Sequence, residues 1–461
     1  MFGKLADKLY DRSKIDKNNL MFSTKDLKKL LIPVVVEQVL NSFMGTADTM
    51  MVSQVGSAAI SAVSLVDSIN VLVIQVFSAL ATGAAIICSQ YLGRKDEKNC
   101  NRAAVQVVFT VLTISVVLSA LCIIFRRPLL GLIFGQVEAD VMNNSLIYFL
   151  ITAISFPFIA LYDAGAAFFR AGGESRFPMR VSVISNVLNI AGNAVLIFGF
   201  KMGVEGAAIS TLVSRAFCMV VVFIALRKPS QPVVVRNYLD FRPDFPLIVK
   251  ILSIGIPSGI ENGMFQFGKL AIQSSVSTLG TTAIAAQAMT IILENLNGIA
   301  AIGVGIGLMT VVGQCMGAGR KEEAKYYIVK LSVWSEVIVL VSCAMVFLLT
   351  KPVTFIAGME VQSANMCFSM VMAITIVKPI VWVPAFIPPY GLRAAGDVKF
   401  SMIMSSLTMW LCRVILCIYL IRCQGFGPIA VWIGMFADWT LRAVIFTVRY
   451  LSGRWLRIKV I

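Results

Sequence analysis

The sequence predicts an all-α integral membrane protein of twelve transmembrane helices, built as two parallel repeats of a six-helix bundle. Three observations lead there. The 461 residues are 58 % hydrophobic and only 14 % charged, a composition far from that of a soluble domain. Uncharged stretches reach bilayer length: 23 residues separate Arg102 from Arg126, and Val181–Phe200 supplies another 20. A spanning helix needs about 20 apolar residues. Finally, the chain is written twice, with a period of 224 or 223 residues.

Hydropathy places the twelve spans near 30–52, 58–88, 104–125, 143–168, 180–200, 205–226, 251–275, 283–312, 327–350, 364–389, 402–421 and 427–448. The net charge of +16 is distributed by topology rather than gathered into a nucleic-acid patch. With the N-terminus inside, inner tails and loops hold about 30 of the 40 Lys and Arg. The outer loops hold only Arg126, Arg127, Lys201, Lys351 and Arg422. Both termini are therefore expected in the cytoplasm. Residues 1–29 form a polar, basic tail that leads into a full-length span, with no sign of a removable signal peptide. The ten cysteines are scattered without a CxxC pair, so packing is expected of them rather than disulfides or metal ligation.

The repeat is legible residue by residue. Pro33, Glu37, Ser53, Gly56, Ala59, Ile60, Gly83, Gln90 and Gly93 recur as Pro257, Glu261, Ser277, Gly280, Ala283, Ile284, Gly307, Gln314 and Gly317. Later, FRAGGESRFPM at 169–179 returns as LRAAGDVKFSM at 392–402. The expected division is a tail at 1–29, an N-terminal bundle at 30–226, a cytoplasmic linker at 227–250, a C-terminal bundle at 251–448 and a tail at 449–461. An even number of helices per copy gives both copies the same orientation. That plan belongs to secondary transporters, whose substrate path lies between the repeats.

Residues common to both copies serve the shared scaffold, and the RAGGES and RAAGDV turns read as structural or gating elements. Unmatched polar residues need another reason, and Asp48 is the foremost. It lies inside the first span, where a carboxylate costs about 2.5–3.5 kcal/mol on insertion scales. Its repeat counterpart is Ile272. Glu37, Asn41, Gly45 and Asp48 fall on one helical face. Asn189 and Asn193, four apart on the fifth span, are matched by Cys412 and Leu416; Thr211 sits near the same level on the sixth. A purely structural hydrogen bond averages about 0.6 kcal/mol in membranes, too little to account for Asp48. An ionised Asp48 can bind Na⁺ through oxygen ligands, or a buried one can take and release a proton. With no histidine in the chain, a histidine relay is excluded. Asp67, Asp163, Arg215, Lys269, Glu294, Lys378, Arg413, Asp438 and Arg442 are further charges within the spans. Of these, Lys269 and Lys378 are candidates to line a cavity, with Glu294 or Asp438 as possible partners. Met264, Phe265 and Phe267 are adaptable apolar surface for a flat ligand, although core packing is the default for such residues.

From IPVVVEQVLNSFMGTADTMMVSQVG through RAGGES to LRAAGDVKF, the chain resembles the multidrug and toxic compound extrusion (MATE) antiporters over essentially its whole length. The resemblance implies two bundles forming a V, with drug efflux coupled to inward flow of Na⁺ or H⁺. It implies that Asp48 is a coupling-ion site, with Asn189, Asn193 and Thr211 in the polar cluster around it. Two positions depart from the pattern: some relatives carry a second aspartate where this chain has Asn193, and some a cation-binding glutamate where it has Phe265. Glu261, one turn earlier, reads first as scaffold and second as another ion site, alongside Glu37, Asn41, Lys269, Glu294 and Lys378 as cavity candidates.

The expected function is therefore export of lipophilic, mainly cationic xenobiotics from a bacterial inner membrane. No organic cofactor, nucleic-acid partner or catalytic residue is expected, and the working form is a monomer in contact with lipid. The competing expectation is a flippase for a lipid-linked precursor, which usually has more spans and a strongly basic cavity. Nothing in the sequence supports a membrane enzyme.

Overall fold

The computed structural model describes residues 9–16, 19–135, 138–235 and 242–461. Its elements are helices. They are α1 (Thr24–Ser53), α2 (Ser57–Gly93), α3 (Glu97–Ile124), α4 (Arg126–Phe134), α5 (Ala139–Ile154), α6 (Phe156–Ala171), α7 (Arg176–Asn193) and α8 (Val204–Ala225). The second copy gives α9 (Phe245–Val276), α10 (Thr281–Gly317), α11 (Lys321–Ile356), α12 (Val361–Ala394), α13 (Val398–Thr408), α14 (Leu416–Gln424) and α15 (Ile429–Leu451). A π-helical turn, Ala194–Gly199, extends α7, and another, Met409–Ile415, joins α13 to α14.

Among the described residues, nine helical segments are long and apolar enough to cross a bilayer, and the bent pair α5–α6 makes a tenth. Apart from the short α4, the remaining helices, α1 and α9, contain 30 and 32 residues. At about 1.5 Å per residue each is long enough to span, which fits the expected twelve. Large apolar side chains such as Leu348, Ile376 and Ile380 stand exposed, as a lipid-facing surface requires.

The helices overrun the hydropathic segments. α2 extends through 37 residues, because helical hydrogen bonding continues past the apolar stretch that hydropathy detects. Two departures from the expected layout have local causes. The fourth span bends by 42° at Ser155, where Pro157 in the first turn of α6 cannot donate to the preceding carbonyls. Arg126 and Arg127, expected in a loop, open the short helix α4.

By packing, the chain forms two compact units: Met1–Val35 with Ile260–Ile461, and Val36–Gly259. Each unit thus contains one repeat plus the opening turns of the helix that starts the other. The close approaches are repeat-related. A Cβ on Gly83 would lie 3.1 Å from the Ile251 carbonyl oxygen, at the start of α9. On α10, a Cβ on Gly303 would lie 2.9 Å from Cα of Val35, and one on Gly307 would strike Leu31, both near the start of α1.

The turns the two copies share are also alike: Gly173 and Gly396 take φ of +83° and +101°, a region glycine reaches without steric cost. The described parts of the expected linker are tied to α3. Gln106 donates to the Arg242 carbonyl and accepts from the Asp244 N–H, and Asn101 accepts from the Val234 N–H. Residues 245–250 of that segment already belong to α9. Before α1, Tyr327 exchanges two hydrogen bonds with the Phe22 backbone, at 2.9 and 2.8 Å. All ten cysteines are free, eight of them buried.

Because its obstacle is backbone rather than a flexible side-chain tip, Gly303→Ala should destabilise the protein by about 1–3 kcal/mol. Thermal unfolding in detergent measures this; an unchanged midpoint would mean that α1 and α10 separate without cost.

Candidate functional site

The polar residues unmatched between the copies come together inside the Val36–Gly259 unit. The Asn193 amide on α7 donates to Oδ1 of Asp48 on α1 at 2.7 Å. The same nitrogen lies 3.4 Å from Oδ1 of Asn189, whose own amide donates to Oγ1 of Thr211 on α8 at 3.2 Å. The Thr211 hydroxyl donates back to the Ala207 carbonyl. Asn189 is further held through its carbonyl, which accepts from the Ser210 hydroxyl at 2.8 Å. That contact is possible because α7 presents Gly192 there: a Cβ would fall 2.4 Å from Ser210 Oγ.

The cluster presents several oxygen acceptors to one point. Asn193 Oδ1 is buried without a hydrogen-bond partner. Among the described residues no group of three or more His, Cys, Asp or Glu side chains could hold a metal. A cation here would therefore meet one carboxylate and neutral amide or hydroxyl oxygens, a hard-ligand set that suits Na⁺. The π-helical turn begins directly after Asn193, and such turns concentrate at functional sites.

Asn41 belongs to the same α1–α7 seam, accepting from the Ser182 hydroxyl at 2.9 Å and from the Asn186 amide at 3.4 Å. Glu37 does not join the cluster. It pairs with Arg170 at 3.3 Å, and its repeat mate Glu261 pairs with Arg393 at 2.6 Å. Both copies thus tie the first helix to the arginine of the RAGGES or RAAGDV turn.

A second polar group in the first unit was not foreseen. Asp67 accepts from Asn70 at 3.1 Å and from the Tyr148 hydroxyl at 3.3 Å. Arg215 donates to Ser155, at the bend in the fourth span, at 2.7 Å. It stands within electrostatic reach of Asp48, Asp67 and Asp163 without forming a close ion pair with any of them among the described residues. The spacing of Ser182, Asn186, Asn189 and Asn193 on one helical face would have exposed part of the α7 seam; Arg215 is visible in the sequence as a charge within a span, but its contact with Ser155 is not.

In the second unit, Lys378 is fully buried and pairs with Glu294 at 2.6 Å. Its ammonium also lies 5.0 Å from the Trp382 ring centre. Asp438 serves two arginines, Arg413 and Arg442, each at 2.7 Å. Lys269 is exposed, 5.1 Å from the Phe265 ring centre, with no carboxylate within ion-pair distance among the described residues.

A family model described as MatE matches this chain twice, over residues 33–195 and 257–419. The chain belongs to the MatE family. The two matches begin 224 residues apart, the period of the repeat. Its relatives include the uncharacterized transporter YisQ of Bacillus subtilis, 27 % identical, with 94 % of this chain and 95 % of YisQ covered. A probable multidrug resistance protein NorM of Thermotoga maritima is 26 % identical, covering 94 % of this chain and 93 % of its own. An outward-facing multidrug resistance MATE family transporter superposes with a TM-score of 0.87 at 18 % identity, covering 94 % of this chain and 97 % of that one, which shows the shared fold. The protein is accordingly an all-helical integral membrane transporter.

Asp438→Ala would strand two buried guanidinium groups, at an expected cost of about 3–5 kcal/mol. Breaking the surface pair Lys14–Asp11 with Lys14→Gln should leave stability nearly unchanged, because solvent screens an exposed ion pair. Unfolding midpoints of the two variants in detergent make the comparison.

Proposed function

We propose that this MATE transporter exports lipophilic, mainly cationic drug-like compounds by antiport against Na⁺ or H⁺, with Asp48 as the coupling-ion site. The observation that carries the reading is the 2.7 Å bond between Asn193 and Asp48, which joins α1 to α7 at a carboxylate absent from the second copy. Supporting it are the relatives whose names describe multidrug resistance.

Coupling follows from the chemistry of that bond. To an ionised Asp48, the Asn193 amide gives a charge-assisted hydrogen bond, roughly twice as strong as a neutral one. A proton or Na⁺ arriving at Asp48 removes that charge and weakens the tie between α1 and α7. Na⁺ gains oxygen ligands from Asn189, Asn193 and Thr211 when the helices adjust, whereas a proton turns Asp48 into a neutral acid. Ion entry therefore favours one arrangement of the bundle and ion release the other, and the drug follows whichever arrangement binds it better. Glu37, Asn41 and Glu261 act in this scheme by holding α1 and α9 in place, while Lys269, Glu294 and Lys378 belong to the cavity. The chain works as a monomer in a bacterial inner membrane, with both termini in the cytoplasm and no organic cofactor.

The test is efflux of ethidium from vesicles of purified protein under separately imposed Na⁺ and pH gradients. Efflux should follow one gradient and fall at least about tenfold in Asp48→Asn, the change that 1.4 kcal/mol produces. Asn193→Ala should give a smaller loss, since Asp48 remains. Efflux indifferent to Asp48→Asn would remove Asp48 from the coupling step.

A further inference from the structure

We propose that the C-terminal repeat contains a site for the negative group of a lipophilic carboxylate or zwitterion, formed by Lys269 and Arg413 around Phe265. This rests on the export reading above and extends its substrate class beyond cations.

The argument begins with charge. The spans of the second unit carry Lys269, Lys330, Lys378, Arg413 and Arg442 against Glu294, Glu336 and Asp438, with Lys330 and Glu336 offsetting each other in number and the Glu261–Arg393 pair neutral in itself. Glu294 is occupied by Lys378, and Asp438 is shared by Arg413 and Arg442. Two positive charges are left uncompensated, one on Lys269 and one on the Arg413–Arg442 pair. They converge on one ring: the Lys269 ammonium lies 5.1 Å and the Arg413 guanidinium 5.0 Å from the centre of Phe265. Glu294 and Arg413 both act electrostatically on Lys269, but the Glu294 carboxylate is already 2.6 Å from another ammonium.

Placement on the helix shows which way this group faces. Lys269 follows Phe265 by four residues and precedes Ile272 by three, so the three share one side of α9. Phe265 packs against the C-terminal core, and Ile272 is buried within it. Lys269 is nonetheless exposed. An exposed ammonium beside core-packed neighbours needs polar surroundings or a counter-charge, because hydrocarbon would not tolerate an unpaired lysine.

The repeat adds a control. On the first helix of the N-terminal copy the corresponding face reads Glu37, Asn41, Gly45, Asp48; on α9 it reads Glu261, Phe265, Lys269, Ile272. The scaffold glutamate is kept, whereas the positions beyond it exchange an acid for a base. Two like charges held together in a membrane unit create a positive potential, and the ligand chemistry that answers it is an anion on an apolar body.

The probes are rhodamine B, whose free carboxylate makes it a zwitterion, and its ethyl ester, a cation of nearly the same shape. Equilibrium binding to the purified full-length transporter in detergent is read by rhodamine fluorescence anisotropy, without any gradient. Lys269→Met should weaken the free acid about tenfold, or 1.4 kcal/mol, and leave the ester unchanged or tighter. Lys269→Arg should retain both affinities, and Lys269→Gln gives a second neutral variant if the Met protein misfolds. Equal losses for both probes, or no loss for either, would overturn the proposal. A lipid phosphate could satisfy the same cations, so the titration is repeated with phosphatidylglycerol added; a free-acid affinity that never distinguishes wild type from Lys269→Met at any lipid level also overturns it. Wild type that binds the free acid selectively yet moves no dye under either gradient would refute the export reading and leave the site standing.

Discussion

A charge inside a bilayer has to be solvated by protein, because hydrocarbon offers it nothing. Most of the interior polar structure of this transporter answers that demand. Glu37 and Glu261 each take an arginine from the turn after the fourth helix of their copy. Lys378 takes Glu294 and two tryptophan rings, and Asp438 takes two arginines. Asp48 receives only the neutral amide of Asn193 as a hydrogen-bond partner among the described residues, with Arg215 no closer than electrostatic reach. Its solvation is the least complete of these, and that incompleteness leaves room for an ion. Scaffold carboxylates are saturated by cations; Asp48, the carboxylate proposed for coupling, is held by a neutral amide.

The same demand accounts for the difference between the units. In the first, three carboxylates surround Arg215 without a close pair; in the second, arginines and lysines outnumber their acids. The two copies share one backbone plan and the glutamate–arginine ties, but differ in electrostatic character on the face of their first helix.

Much of this was legible in the sequence. Uncharged runs revealed the spans, because the bilayer imposes a length. The period of 224 exposed the copies, and comparing them isolated Asp48, Asn189 and Asn193, which the structure joins with Thr211. What escaped depends on neighbours distant in sequence. Hydropathy cannot see that Ser155 marks a bend, since a bent apolar span reads like a straight one. Nor could Lys378 be assigned to Glu294 over Asp438 without knowing how α10 and α12 pack. The π-helical turns leave no compositional trace, because one additional residue in a turn changes neither polarity nor period over a short window. The exchange of helix beginnings was hidden for a further reason: the repeat aligns residues 33 and 257 whichever unit they pack in.

That exchange bears on whether one copy can stand alone. Leu31 and Val35, from the opening of the first copy, fill the glycine notches of α10 in the second, while Ile251 and Gly255 do the same against α2 in the first. A polypeptide holding only one copy could not close these notches with its own first helix. It would need the leading turns of a second chain to close them. With both copies in one polypeptide, each bundle obtains those turns from within the same chain.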